Sequence, residues 1–312
     1  MKHDIDKILS KTPVVCLLAV LCCFLWGSAF PCIKIGYGML SIQSNDVMSQ
    51  ILFAGLRFTL AGILTILFGS ILSRKPLLPK SDSVGRIIKL SMVQTVLQYI
   101  FFYIGLANTT GVKSSIIEAA NVFIAIFISC LVFKFERLTP SKITGCIIGF
   151  AGVVIINLAG SSLDFSFTLM GEGAVLLSCA AYGLSSCMIK NYSKDENPVV
   201  LSGYQFFAGG IILIIVGLLF GGRISGFTTS SVMLLIYMAM ISSVAYTIWG
   251  ILLKYNPVGK VAVFGFTNPI FGVILSAWLL GENNQAFTPQ GIIALLLVCI
   301  GIFIVNRKTH ES

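Results

Sequence analysis

Apolar residues in this chain come in ten blocks of spanning length, broken by short polar, Gly- or Pro-bearing connectors such as RKPLLPKSDS, NYSKDENP and GENNQAFTP. The blocks predict helices near 13–33, 51–72, 87–107, 114–133, 141–158, 171–190, 200–220, 231–251, 260–280 and 289–306. About 20 residues at about 1.5 Å rise cross the roughly 30 Å hydrocarbon core of a bilayer. The first block is too long for a signal-peptide core and runs through Trp26-Gly27 into Lys34, so it reads as a retained span. The fold class predicted is an all-α integral membrane protein with ten transmembrane helices.

Composition agrees. Apolar residues make up 56% of the chain and charged residues 11%, against roughly a quarter charged in soluble domains. Beyond the spans the pattern leaves a tail at 1–12 and another at 307–312, with no polar stretch long enough for a soluble domain.

The net charge of +9 is distributed by topology. Seventeen Lys and Arg residues fall on one predicted side, only Lys34, Lys113 and Arg223 on the other, and Arg57 lies within a span. That asymmetry puts both termini in the cytoplasm of a bacterial-type plasma membrane and calls for no nucleic-acid partner. The nine cysteines all lie in apolar segments without CxxC or Cys/His spacing. They read as small buried apolar residues, with no metal or cofactor implied.

The chain also repeats. GVKSSIIEAANVFIAIFISCLVFKFERLTP parallels VGKVAVFGFTNPIFGVILSAWLLGENNQAFTP, matching Lys113 with Lys260, Glu136 with Glu282 and Pro140 with Pro289. Tyr99 pairs with Tyr246, Phe102 with Trp249, Arg57 with Gln205, and WGSAFPCIK with YGLSSCMIK. The halves are 13–158 and 171–306. Five helices is an odd number, so the second copy enters the membrane from the opposite side. Inverted repeats with a site near the midplane mark secondary transporters.

WGSAFPCIK, GLRFTLAGIL and a helix ending in FKFERLT resemble EamA-type members of the drug/metabolite transporter superfamily, as do NPIFGVILSAWLLGE and TPQGIIALLLVCIGIFIVN in the second copy. The resemblance runs from about Val14 to Asn306. It implies a ten-helix carrier with helices 5 and 10 peripheral, a central cavity, and small metabolites, amino acids or drugs as cargo, commonly moved outward. One departure is that Val122 or Phe123 stands where the family often has Pro in helix 4, while helix 9 keeps Pro269. Unequal hinging of the two halves is the expectation.

Glu118 and Arg57 are the ionisable groups inside spans, and such groups are functional candidates by default. Their similar depth permits an ion pair. The alternative is that both face the cavity, Glu118 toward a substrate ammonium or a coupling proton and Arg57 toward a carboxylate. Asn121, one turn beyond Glu118, and its approximate counterpart Asn268 are candidate polar contacts. Trp26, Gln98, Tyr99, Tyr103, Tyr182, Tyr246 and Trp249 complete the candidate lining, with interhelical packing the competing role for each aromatic. Pro31 and Pro269 are candidate gating kinks. Gly145-Cys-Ile-Ile-Gly149 is a GxxxG that fits either packing inside the monomer, the preferred reading, or a homodimer face.

Other classes fit less well. The only histidines, His3 and His310, lie in the tails, and the aspartates lie in tails, loops or helix ends. No P-loop and no filter-like sequence occurs. The expectation is a secondary carrier exporting amino acids or related small metabolites by alternating access. The alternatives are import of a quaternary amine with Glu118 as counter-charge and, outside transport, an intramembrane lipid-modifying enzyme.

Overall fold

The computed structural model describes residues 9–135, 137–158, 167–256, 261 and 263–306, and contains no strand among them. Most of the tail at 1–12, all of 307–312, and Glu136 and Lys260 of the repeat pairing lie outside the described residues. Ten apolar helices follow the ten predicted blocks. They are α1 Thr12–Met39, α2 Val47–Ser73, α3 Ser81–Asn108, α4 Gly111–Val132 and α5 Pro140–Leu158 in the first half. The second half has α6 Leu169–Tyr192, α7 Pro198–Leu219, α8 Thr229–Tyr255, α9 Thr267–Leu280 and α10 Pro289–Asn306. Seven of them are long and apolar enough to cross a membrane, while α5, α9 and α10 are shorter apolar helices.

Local chemistry sets the boundaries. Side-chain oxygens of Asp46, Thr110, Thr168 and Asn197 accept from backbone N–H groups at the starts of α2, α4, α6 and α7. Thr228 and Ser231 form a reciprocal capping box on α8. Pro198 opens α7, where a missing N–H costs nothing. The predicted block at 260–280 is the one that differs most. A 3₁₀ turn, Val263–Phe266, precedes α9, and Pro269 sits in the first turn of that helix rather than at a mid-span kink. Pro31 does lie inside α1.

α2 lies along α7 and α5 along α10, while α1 packs on α8 and α9 and α6 packs on α3 and α4. The α2–α7 seam is antiparallel and built on glycines seven residues apart: Gly55, Gly62 and Gly69 on α2, and Gly203, Gly210 and Gly217 on α7. A Cβ at Gly62 would stand 2.4 Å from the Phe207 nitrogen, and one at Gly210 would stand 2.3 Å from the Thr59 nitrogen. Bare backbones here touch directly, the close approach that replaces hydrophobic drive between helices in lipid. The same device closes α5 on α10, where a Cβ at Gly301 would meet the Gly145 carbonyl oxygen at 2.6 Å and the Gly149 nitrogen at 2.7 Å. The GxxxG is thus spent inside the monomer, which removes the sequence basis for a dimer face.

Candidate functional site

The helices at the centre, α1, α3, α4, α6, α8 and α9, carry nearly all the candidate residues, and helix type changes within α4 and at the start of α9. α4 is two α-helical pieces, Gly111–Glu118 and Ala120–Phe127, joined at Ala119. α9 begins at Thr267, directly after its 3₁₀ turn. Ala120 and Thr267 are 147 residues apart, the same offset as Tyr99 and Tyr246. The changes in helix type therefore occupy matching places although only α9 has the proline. Interrupted helices in corresponding positions of two halves point to a binding region in membrane carriers. Glu118 is the last residue before the break in α4, and Asn268 is the second residue after the one in α9.

Arg57 and Glu118 are both buried, at 3% and 9% exposure, and neither is paired with the other. Depth along a helix put them level; their directions around the helix separate them. Arg57 donates through Nε to the Met238 carbonyl at 3.2 Å, through Nη1 to Tyr103 Oη at 3.1 Å and through Nη2 to Ser242 Oγ at 3.1 Å. Its guanidinium also lies 5.0 Å from the Phe58 ring centroid. Glu118 turns to α6, where its Oε2 lies 3.2 Å from Ser178 Oγ and 3.5 Å from Cys179 Sγ. Asn121 also bonds to it. Each hydroxyl or thiol has a single hydrogen, and Ser178 Oγ is closer to the Val175 carbonyl, at 2.8 Å. Glu118 is thus held by weak neutral donors and Arg57 by neutral acceptors. Among the described residues neither of these two ionisable groups has an oppositely charged partner within ion-pair distance.

Tyrosines fill the space between them. Tyr99 lies in the fields of both Arg57 and Glu118. Its hydroxyl meets that of its repeat partner Tyr246 at 3.4 Å. Tyr182 lies in the field of Glu118. Trp26 packs on Tyr246 and Trp249 with ring centroids 5.5 and 5.1 Å away, and its Nε1 is buried without a partner. Gln98 Oε1 and Asn268 Oδ1 are also buried and have no hydrogen-bond partner among the described residues. Trp26, Asn121, Tyr182, Tyr246, Trp249 and Asn268 are half-buried, while Arg57, Gln98, Tyr99 and Tyr103 are buried. Tyr103 belongs to the Arg57 anchor, and its backbone carbonyl accepts from Tyr37 Oη at 3.0 Å.

Several polar partners carried no signal in the sequence. Ser178 and Cys179 are ordinary small residues of an apolar helix. Ser242 had a readable cue, since it precedes Tyr246 by one turn as Thr95 precedes Tyr99. Thr95 donates to Gln205 Oε1, so the Arg57–Ser242 contact has a neutral counterpart in Gln205–Thr95. Around Thr95, α3 loosens into a π-helical stretch, Ser91–Leu97, where Gln94 Oε1 is buried and unpartnered. Such π segments recur at functional sites.

A bundle of apolar spanning helices with unpaired charges and orphaned polar atoms at its centre defines a multi-pass membrane protein built around an internal polar region. Comparison with known proteins gives the family. The sequence model of the EamA-like transporter family matches residues 14–158 and again 169–307, so the chain belongs to that family. An uncharacterized transporter of Archaeoglobus fulgidus is 29% identical over 311 residues, covering 97% of this chain and 99% of that protein. A probable amino-acid metabolite efflux pump of Salmonella typhimurium is 26% identical over 301 residues, covering 92% and 93%. A solved crystal structure superposes with a TM-score of 0.64 at 17% identity, over 95% of this chain and 98% of that one. That likeness concerns the fold alone.

Proposed function

We propose that this transporter is a secondary carrier that exports small zwitterionic metabolites, amino acids or related compounds, by alternating access. In this reading ten spans form two inverted five-helix repeats, 13–158 and 171–306, with both termini in the cytoplasm of a bacterial-type plasma membrane. The neighbour pattern supports the repeat: exchanging every helix with the one five later turns α1–α8 into α6–α3, α1–α9 into α6–α4 and α2–α8 into α7–α3, all of them packed pairs. The glycine seam supports it too, since Gly55, Gly62 and Gly69 map onto Gly203, Gly210 and Gly217 at one offset.

The observation that carries the substrate reading is the pair of buried, uncompensated charges. Withdrawing an ion from water costs several kcal/mol even after relaxation, so a guanidinium and a carboxylate kept without counter-ions are poised for a ligand that brings both. The ammonium goes to Glu118, with Asn121 and Asn268 as flanking acceptors. The carboxylate goes toward Arg57, past the Tyr99–Tyr246 pair. Glu118 is also the residue to carry a coupling proton. The half-buried trio Trp26, Tyr246 and Trp249 favours a second reading, a quaternary amine held on aromatic faces against Glu118.

Counterflow in proteoliposomes with a panel of radiolabelled amino acids and amines, with and without a pH gradient, tests both. A zwitterionic cargo requires Glu118→Gln and Arg57→Met each to lower counterflow by about tenfold or more, the loss of one charge-assisted contact. If only Glu118→Gln matters and quaternary amines compete best, the second reading replaces the first.

A further inference from the structure

The end of the bundle where α3 turns into α4 is held by two carboxylates from outside that hairpin. Glu282, just past α9, accepts from the backbone N–H of Gly111 at 3.0 Å and of Val112 at 2.8 Å, which are the first two residues of α4. Glu172, in the first turn of α6 and 3% exposed, accepts from Thr109 Oγ1 at 2.7 Å and lies 3.6 Å from Lys113 Nζ. Both grips are on the same five-residue stretch, Thr109 to Lys113. A negative charge at a helix N-terminus is further favoured by the helix dipole.

Below the grips, the piece Gly111–Glu118 is seated on α9 with little room. A Cβ at Gly111 would stand 2.6 Å from Ser276 Oγ and 3.0 Å from Ser276 Cβ, and one at Gly272 would stand 2.6 Å from Ser115 Cβ. The seam is tight yet poorly bonded, since the Ser276 hydroxyl oxygen is buried in it with no hydrogen-bond partner among the described residues. At its far end the piece stops at Glu118 and the break at Ala119.

We propose that Gly111–Glu118 is a gate, hinged at Ala119, bolted at its outer tip by Glu172 and Glu282, and carrying the substrate contact Glu118 at its hinge. The bundle is shut at this end, and opening it requires both carboxylates to release the tip. Because one short rigid helix joins tip and hinge, displacement at Glu118 on ligand binding is delivered to the bolts as rotation of the whole piece. The gate gives the carrier reading its moving part and rests on that reading for its purpose.

Two measurements test it. In Gly111→Cys/Ser276→Cys the two thiols face each other across the seam. Oxidation, with the 111–276 disulfide identified by mass spectrometry, abolishes counterflow, and reduction restores it. Undiminished counterflow in fully cross-linked protein overturns the gate. The second measurement does not depend on transport and stands if no cargo is found. Ser115→Cys, buried beneath the bolts, is labelled by a maleimide in membranes and read peptide by peptide. Neutralising both bolts (Glu172→Gln/Glu282→Gln) raises its labelling rate about tenfold or more, from the loss of charge-assisted hydrogen bonds. Glu282→Gln alone gives a smaller rise should the double variant fold poorly. Equal rates in all three proteins reject the bolts whether or not the chain transports anything.

Discussion

Arg57 shows what a buried charge needs at the scale of a residue. Its three hydrogen bonds, to Met238, Tyr103 and Ser242, orient the guanidinium without neutralising it. Glu118 is likewise oriented by Ser178, Cys179 and Asn121. An ion pair of the two would tolerate reversal, and this arrangement does not. The exchange Arg57→Glu/Glu118→Arg is expected to recover neither folded yield nor counterflow relative to the single variants, because each charge would then face partners chosen for the other. Size-exclusion profiles and counterflow on the three proteins check this. Rise per residue converts chain position into distance along a helix, and both side chains that position singled out are buried. Azimuth was not legible, because it depends on which helices become neighbours. For the same reason Trp26, Tyr99 and Tyr246 were recognisable as candidates while Ser178 and Cys179 were not.

At the scale of elements, hydropathy located all ten helices because each is a continuous apolar block, and it failed only where the backbone changes type. The 3₁₀ turn before α9 and the break at Ala119 leave no mark in an average of hydropathy, since Glu118, Asn121 and Asn268 are too few to interrupt the apolar blocks around them. The seven-residue spacing of glycines on α2 and α7 was present in the sequence. Its meaning depended on knowing that the two helices face each other. Gly62→Ala is expected to destabilise the protein by about 1–3 kcal/mol, the usual cost of overpacking, because its Cβ would meet main-chain atoms that have nowhere to go. Gly85→Ala, with nothing within 4 Å, is expected to be neutral or slightly stabilising. Thermal unfolding in detergent distinguishes the two.

A connection between elements gives a pH prediction. Glu196, in the α6–α7 turn, accepts from Lys80 N at 3.0 Å and from Asn197 N at 2.8 Å, fixing the α2–α3 linker. Burial pushes its carboxyl up, but these N–H groups, with Ser83 and the Lys80 charge, hold it below the ordinary glutamate value. The folded pKa is depressed, so the stabilisation is complete above the unfolded value of about 4.3 and is lost as pH falls through the folded one. Glu196→Gln should therefore lower the unfolding midpoint at neutral pH, with the gap to the unaltered protein closing only as pH drops below about 4.3. A gap that stayed constant into that acid range would remove the carboxylate from the linker's support.

At the scale of the whole molecule, the seams set two tightly joined helix pairs apart from the helices around the polar region. The α2–α7 and α5–α10 pairs each join one half of the chain to the other by backbone contact, which leaves no slack for sliding. The remaining helices fall into two groups, α1 with α8 and α9, and α3 and α4 with α6, bridged where Gly111–Glu118 packs on α9, and each group draws on both halves of the chain. The polar region lies between these groups, with Trp26, Tyr246 and Asn268 on one side and Tyr99, Glu118 and Tyr182 on the other. In the proposed mechanism Gly111–Glu118 swings away from α9 and from its two bolts while the two glycine seams hold as flanking axes. Hydrogen exchange measured with and without a transported compound should show protection changing in α4 and α9, on either side of Gly111, and not in α2, α7, α5 or α10. Protection that changed along the glycine seams instead would mean that the halves of the chain separate as units, and the grouping drawn from the packing would have to be given up.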